Sequence, residues 1–107
     1  MRNKMYHVSI PEDSVNVNLL KVLEEKKVIK EYLLVKHSPS GRRTKPHFHI
    51  FAELHEPIER NTVRLWFKTY LYYVEEVKGK KSEMIAYMLD DSQNVKVIGA
   101  KHEKKAL

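Results

Sequence analysis

Two histidines flanking one bulky residue, His47-Phe48-His49, and a tyrosine in a short apolar segment, Tyr87, hold most of the chemistry this chain can do. In an extended strand, residues i and i+2 share a face, about 6 to 7 Å apart. Two imidazoles placed that way can converge on one cation. A third, His37, closes the preceding apolar run, and a hairpin return would set it beside His47. Three protein ligands leave coordination positions open for a substrate oxygen, which a catalytic site needs and a structural one does not. A phenol is a candidate nucleophile. With an ordinary pKa near ~10 it is weak at neutral pH, and it gains reactivity if a cation polarises the phosphate it attacks.

Each residue also has a plainer reading. With six histidines in 107 residues, a His-x-His arises by chance at odds of roughly one in three, so the pair alone is either a ligand set or two strand residues. A tyrosine at the edge of a helix is usually a half-buried packing residue. Glu53 and His55 share the parity of His47 and His49 but sit further along, and read as surface or core-edge residues. His7 is a weaker ligand candidate, and His102 reads as solvent-exposed.

The elements that must position these groups follow from periodicity. Met5–Ile10 reads as a strand ended by Pro11. Asn16–Lys27 carries Val17, Leu19, Leu20, Val22 and Leu23 at helical spacing, with Asp13, Ser14 or Asn16 as N-cap. Val28–Lys36 and His47–Leu54 read as strands joined by a basic, turn-rich loop. Asn61 caps a helix to about Lys68, and Tyr70–Val77 is a further strand. Ser82 caps a helix over 82–91, with Met84, Ile85, Met88 and Leu89 as its apolar side, before a last strand near Val95–Ile98. The order is β-α-β-β-α-β-α-β. Short connections imply an α+β fold: one domain, 1–107, with an antiparallel sheet of about five strands, helices packed on it, and a basic tail from about residue 100.

Composition narrows the partner. Lys and Arg outnumber Asp and Glu by 20 to 14, giving a net charge of +6 and favouring a polyanion, nucleic acid first among them. The alternative is a solvated basic surface. Arg42, Arg43 and Lys45 precede the histidine strand, while Lys78, Lys80 and Lys81 precede the tyrosine helix. These clusters are either ordinary charged loops or grips for phosphates. Tyr70, Tyr72 and Tyr73 are candidates for base stacking, although alternation puts Tyr72 and Tyr73 on opposite faces. Cysteine is absent, which excludes a disulfide framework and a thiolate zinc site. The chain has no apolar run long enough for a membrane span, no signal-peptide pattern and no P-loop, so an intracellular protein without its own ATPase is expected.

Taken together, the apolar strand Tyr6–Ile10, the Pro46-His47-Phe48-His49 motif and the tyrosine in EEVKGKKSEMIAYMLDD resemble the HUH endonuclease domain of rolling-circle replication initiators, the Rep proteins of single-stranded DNA viruses and plasmids. The similarity runs from about Met5 to Ala100. It implies a ferredoxin- or RRM-like sheet domain that binds single-stranded DNA at an origin. His47 and His49 would hold Mn²⁺ or Mg²⁺ on the scissile phosphate. His37 stands where the family places its third ligand, a carboxylate or histidine. Tyr87 would attack phosphorus, release a 3′-hydroxyl and stay joined to the 5′-phosphate, so that the same protein nicks and rejoins. A borrowed host helicase, and a second protomer for rejoining a second strand, are the partners this implies, with no membrane.

Two features depart from the family. Its lysine three residues after the tyrosine is Asp90 here. Three imidazoles are also softer than Mg²⁺ prefers, which tilts the expectation to Mn²⁺. Two other readings stay open: a non-catalytic nucleic-acid-binding module of the same fold, and a transposase or relaxase of the wider HUH class.

Overall fold

Alternation along the strands sends Tyr6, Val8 and Ile10 to one face of a sheet and Met5, His7 and Ser9 to the other. The same split runs through the neighbouring strand, where Tyr32 and Leu34 join the first face and Leu33 and Val35 the second. The computed structural model describes residues 2–39, 45–68, 73–90, 92 and 94–102. Of the expected functional residues, Arg42, Arg43, Tyr70 and Tyr72 lie outside them.

The chain forms β1 (Arg2–Pro11), a single 3-10 turn (Glu12–Ser14), α1 (Leu19–Glu25), β2 (Ile29–His37) and β3 (His47–Glu59). It continues with α2 (Arg60–Trp66), β4 (Tyr73–Glu76), α3 (Lys81–Met88) and β5 (Val95–Lys101). The sheet order is β4-β1-β3-β2-β5, antiparallel at every step. Its first six elements make a split β-α-β unit of ferredoxin-like order. The fold is α+β, with a five-stranded antiparallel sheet and three α-helices among the described residues, as the element order implied.

Both faces of the sheet are covered. Leu19 and Leu23 of α1, Val63 of α2 and Phe67 just beyond it pack on Tyr6, Val8, Ile10, Leu34, Ile50, Ala52 and Leu54. On the opposite face, Met84, Ile85 and Met88 of α3 close over Leu33, Val35 and Phe51. That second cluster covers only part of its face. The histidines lie beside it on the same face, with His7, His37 and His49 buried.

Several boundaries differ from the sequence reading, each for a local reason. α1 is capped by Asn18, whose side chain accepts the Lys21 N–H at 3.1 Å, because the 3-10 turn takes up the earlier candidates Asp13 and Ser14. β3 runs past Leu54 to Glu59, since Ile58 and Glu59 pair with Asn3 and Arg2 beyond a register shift in β1. It passes straight into α2, so Asn61 is not the cap. α3 starts at Lys81 with Lys80 at the N-cap, rather than on a Ser82 cap, and ends at Met88. Leu89 leaves the helix and is 41% exposed, so it drops out of the apolar side assigned to it.

Candidate metal centre and nucleophile

The hairpin between β2 and β3 does what the three-histidine reading required. His37, the last residue of β2, lies directly opposite His47, the first of β3, and Val35 lies opposite His49. His47 and His49 share a face by the two-residue period. One ring nitrogen from each of His37, His47 and His49 lies within 4.8 Å of the others. The ring centroids are 5.4 Å apart for His37 and His47, 4.7 Å for His47 and His49, and 4.2 Å for His37 and His49. His37 and His49 are buried and His47 is half-buried, so the cluster opens on one side.

Hydrogen bonds decide which nitrogen each ring offers. A carbonyl oxygen only accepts, so His37 donates from Nε2 to Met88 O at 2.7 Å, and His47 donates from Nδ1 to Lys45 O at 2.9 Å. That leaves His37 Nδ1 and His47 Nε2 with lone pairs. His49 Nδ1 bonds His7 Nε2 at 2.7 Å, and its own Nε2 is the buried side-chain polar atom without a partner among the described residues. An orphaned buried nitrogen costs about 1 to 3 kcal/mol. Three imidazoles, each with one nitrogen tied and one free, form a donor set that fits a divalent cation. Burial first, then the neighbouring rings His7, His37 and His47, pushes His49 down to about 3, so it stays neutral and able to ligate.

His7 is a residue that sequence reasoning undervalued. It faces Phe51 across the β1–β3 ladder, which makes it the diagonal same-face neighbour of His49, and the two rings lie coplanar with centroids 4.9 Å apart. On its other side, His7 Nδ1 donates to Glu75 Oε1 at 2.8 Å. Tyr73 donates its hydroxyl to the second oxygen, Oε2, at 3.0 Å. Burial lowers the His7 pKa and the Glu75 carboxylate opposes that shift. No other histidine stands near His7 along the chain. Only the register across two strand pairs reveals its role.

Tyr87 stands over this group. Its ring centroid is 5.9 Å from His49, 6.3 Å from His7 and 6.4 Å from His37, edge-on in each case, while the residue is 55% exposed. A cleft of about 480 Å³ lies beside it, lined by His7, Ser9, His49, Tyr73, Glu75 and Met84. A larger cleft of about 540 Å³ on the outer side of β4 is lined by Glu59, Arg60, Asn61 and Lys78 and contains none of the three clustered histidines. The smaller cleft is the one that reaches the histidine cluster, through His49.

The basic candidates separate. Lys45, Lys78 and Lys80 are exposed, with Lys45 3.7 Å from Asp13. Lys81 is instead clasped by Glu31 at 2.9 Å and Glu53 at 3.1 Å, which anchors the first turn of α3 to the sheet. Its hydrogen bonds to Glu31 and then Glu53 raise its pKa. Glu53 is committed to this pair and His55 is exposed, so neither joins the imidazole cluster. Asp90 accepts the Ser92 N–H at 3.0 Å and thereby shapes the turn after α3; that bond lowers its pKa. No helix among the described residues is long and apolar enough to cross a membrane. No family model matches the chain, and no curated protein matches it in sequence.

Proposed function

We propose that this protein is a metal-dependent endonuclease and strand-joining enzyme acting on single-stranded DNA at a replication origin, with Tyr87 as nucleophile. The observation that carries the reading is the placement of Tyr87, half-exposed, 5.9 Å from the ring of His49 and on the same face as the His37–His47–His49 cluster. The three histidines are the residues that would hold the ion, and imidazole donors favour Mn²⁺ over Mg²⁺. Such an ion supplies charge neutralisation and orientation of the scissile phosphate.

The Tyr87 oxygen forms a bond to phosphorus as the bond from phosphorus to the 3′-oxygen breaks. The phenolic proton leaves to solvent, and the departing 3′-oxygen takes up a proton to become a hydroxyl. The product is a 5′-phosphotyrosine, and reversal by the 3′-hydroxyl rejoins the strand. The exposed Lys45, Lys78 and Lys80 supply positive charge along the DNA path, and Tyr73 offers a ring beside the cleft for a base.

A second reading, a binding module without catalysis, is favoured by Asp90, which spends its carboxylate on a local turn where the resembling family carries lysine. Labelled single-stranded oligonucleotides with Mn²⁺, run on a denaturing gel, separate the two. An SDS-stable adduct formed by the wild type and lost in Tyr87→Phe supports the nuclease. Binding without an adduct across a broad oligonucleotide pool sinks it.

A further inference from the structure

We propose that His7 and Glu75 are positioning residues for the metal ligand His49, forming a carboxylate–imidazole–imidazole chain that sets which nitrogen His49 presents to the ion. The inference rests on the reading of His37, His47 and His49 as a metal site.

The chain crosses the sheet as a row on one face. Glu75 of β4 lies directly opposite His7 of β1, and His7 lies diagonal to His49 of β3. A carboxylate only accepts, so at 2.8 Å the proton on His7 lies on Nδ1. The Nε2 lone pair of His7 then takes the Nδ1–H of His49 at 2.7 Å. With its Nδ1 proton so held, His49 keeps Nε2 bare and turned away from the row, and that atom is the orphaned one. Tyr73 pins the far oxygen of Glu75 at 3.0 Å, so the carboxylate cannot swing away from His7 without losing both bonds. His7 is 5% exposed, which keeps water from substituting for either partner.

His37 and His47 take their orientation from backbone carbonyls, which side-chain mutation does not remove. His49 alone of the three depends on side chains for its tautomer. Outer partners of this kind are typically worth about 10- to 100-fold in metal affinity.

The test is Mn²⁺ binding by calorimetry on the full chain, without DNA, together with the ¹⁵N imidazole shifts of His49 in the metal-free protein. His7→Phe is expected to weaken Mn²⁺ binding about 10- to 100-fold, and His7→Gln, which can still accept from His49 and donate to Glu75, to recover most of it. Glu75→Leu, at a less buried site, is expected to weaken binding about 10-fold and shift the His49 ¹⁵N signals towards a mixture of tautomers. A purely structural role would leave that tautomer signature in place. Wild-type affinity and an unchanged tautomer in Glu75→Leu overturn the relay while leaving the metal site standing. No Mn²⁺ binding by the wild type overturns both.

Discussion

His37 donates its Nε2–H to the backbone carbonyl of Met88 across 2.7 Å, so the most buried of the three clustered imidazoles is fastened to the residue that follows Tyr87. The histidine cluster and the helix that carries Tyr87 are thus joined by one hydrogen bond as well as by packing. His47, by contrast, stands at the open side of the cluster and bonds the carbonyl of Lys45 two residues away.

The two histidines should therefore fail differently. His37→Ala removes a fully buried ring and the anchor of Met88, and is expected to lower stability by about 2 kcal/mol or more even without metal. His47→Ala is expected to abolish tight Mn²⁺ binding while moving Tm by only about 3 °C. Thermal melts with and without Mn²⁺ give both values.

Metal should act as a stabilising ligand. At a hundredfold excess over Kd, binding to the folded state alone contributes about 2.7 kcal/mol, a rise of roughly 10 °C or more for a domain of this size. Chelation should reverse the rise, and His49→Ala should show none. A Tm indifferent to Mn²⁺ in the wild type contradicts the donor-set reading.

The lysines at the start of α3 and just before it should divide into two classes. Lys81→Met leaves Glu31 and Glu53 facing each other and is expected to cost about 1 kcal/mol of stability, with little change in the salt dependence of DNA binding. Because the Lys81 pKa is raised in the folded state, its contribution is complete below the ordinary lysine value of 10.5 and is lost only as pH climbs through the elevated one. Lys78→Ala and Lys80→Ala should do the opposite: stability unchanged, DNA affinity lower, and the salt slope reduced by about 0.7 for each phosphate that is no longer neutralised.

Asp90→Lys tests what the departure from the family pattern does. The substitution gives up the bond from Ser92 N–H and adds two units of positive charge close to Tyr87. Single-stranded DNA affinity at low salt is expected to rise several-fold, as read by fluorescence anisotropy. An unchanged affinity would mean that DNA does not pass the end of α3.

Local pattern carried much of this site, and its limits are specific. The shared face of His47 and His49 follows from strand period, and His37 beside them from the expectation of a hairpin, which the register of β2 on β3 meets; their reading as ligands rather than ordinary strand residues leaned on the family resemblance. Helical spacing of Met84, Ile85 and Met88 puts Tyr87 at the edge of an apolar stripe, where packing is the usual role, and only the family resemblance singled it out as a nucleophile. His7 and Glu75 were out of reach, because their neighbours are set by pairing between strands far apart in the chain. Lys81 looked like a free cation in a run of lysines, since nothing local says that Glu31 and Glu53 end up beneath it. The end of β3 was hidden for a similar reason: its last residues pair with Arg2 and Asn3.

The order of elements has a consequence for biogenesis. His7, His37, His47, His49 and Glu75 all belong to the four strands complete by residue 76, whereas the helix bearing Tyr87 is made afterwards. A nascent chain paused there holds every ion-binding candidate but not Tyr87, and Leu33, Val35 and Phe51 lack their α3 cover. The same asymmetry runs in reverse in the mature protein. If α3 peels away from the sheet, His37 loses Met88 and the proposed attacking oxygen departs with the helix. Undocking one eight-residue segment would thus part Tyr87 from the imidazole cluster while the central sheet survives.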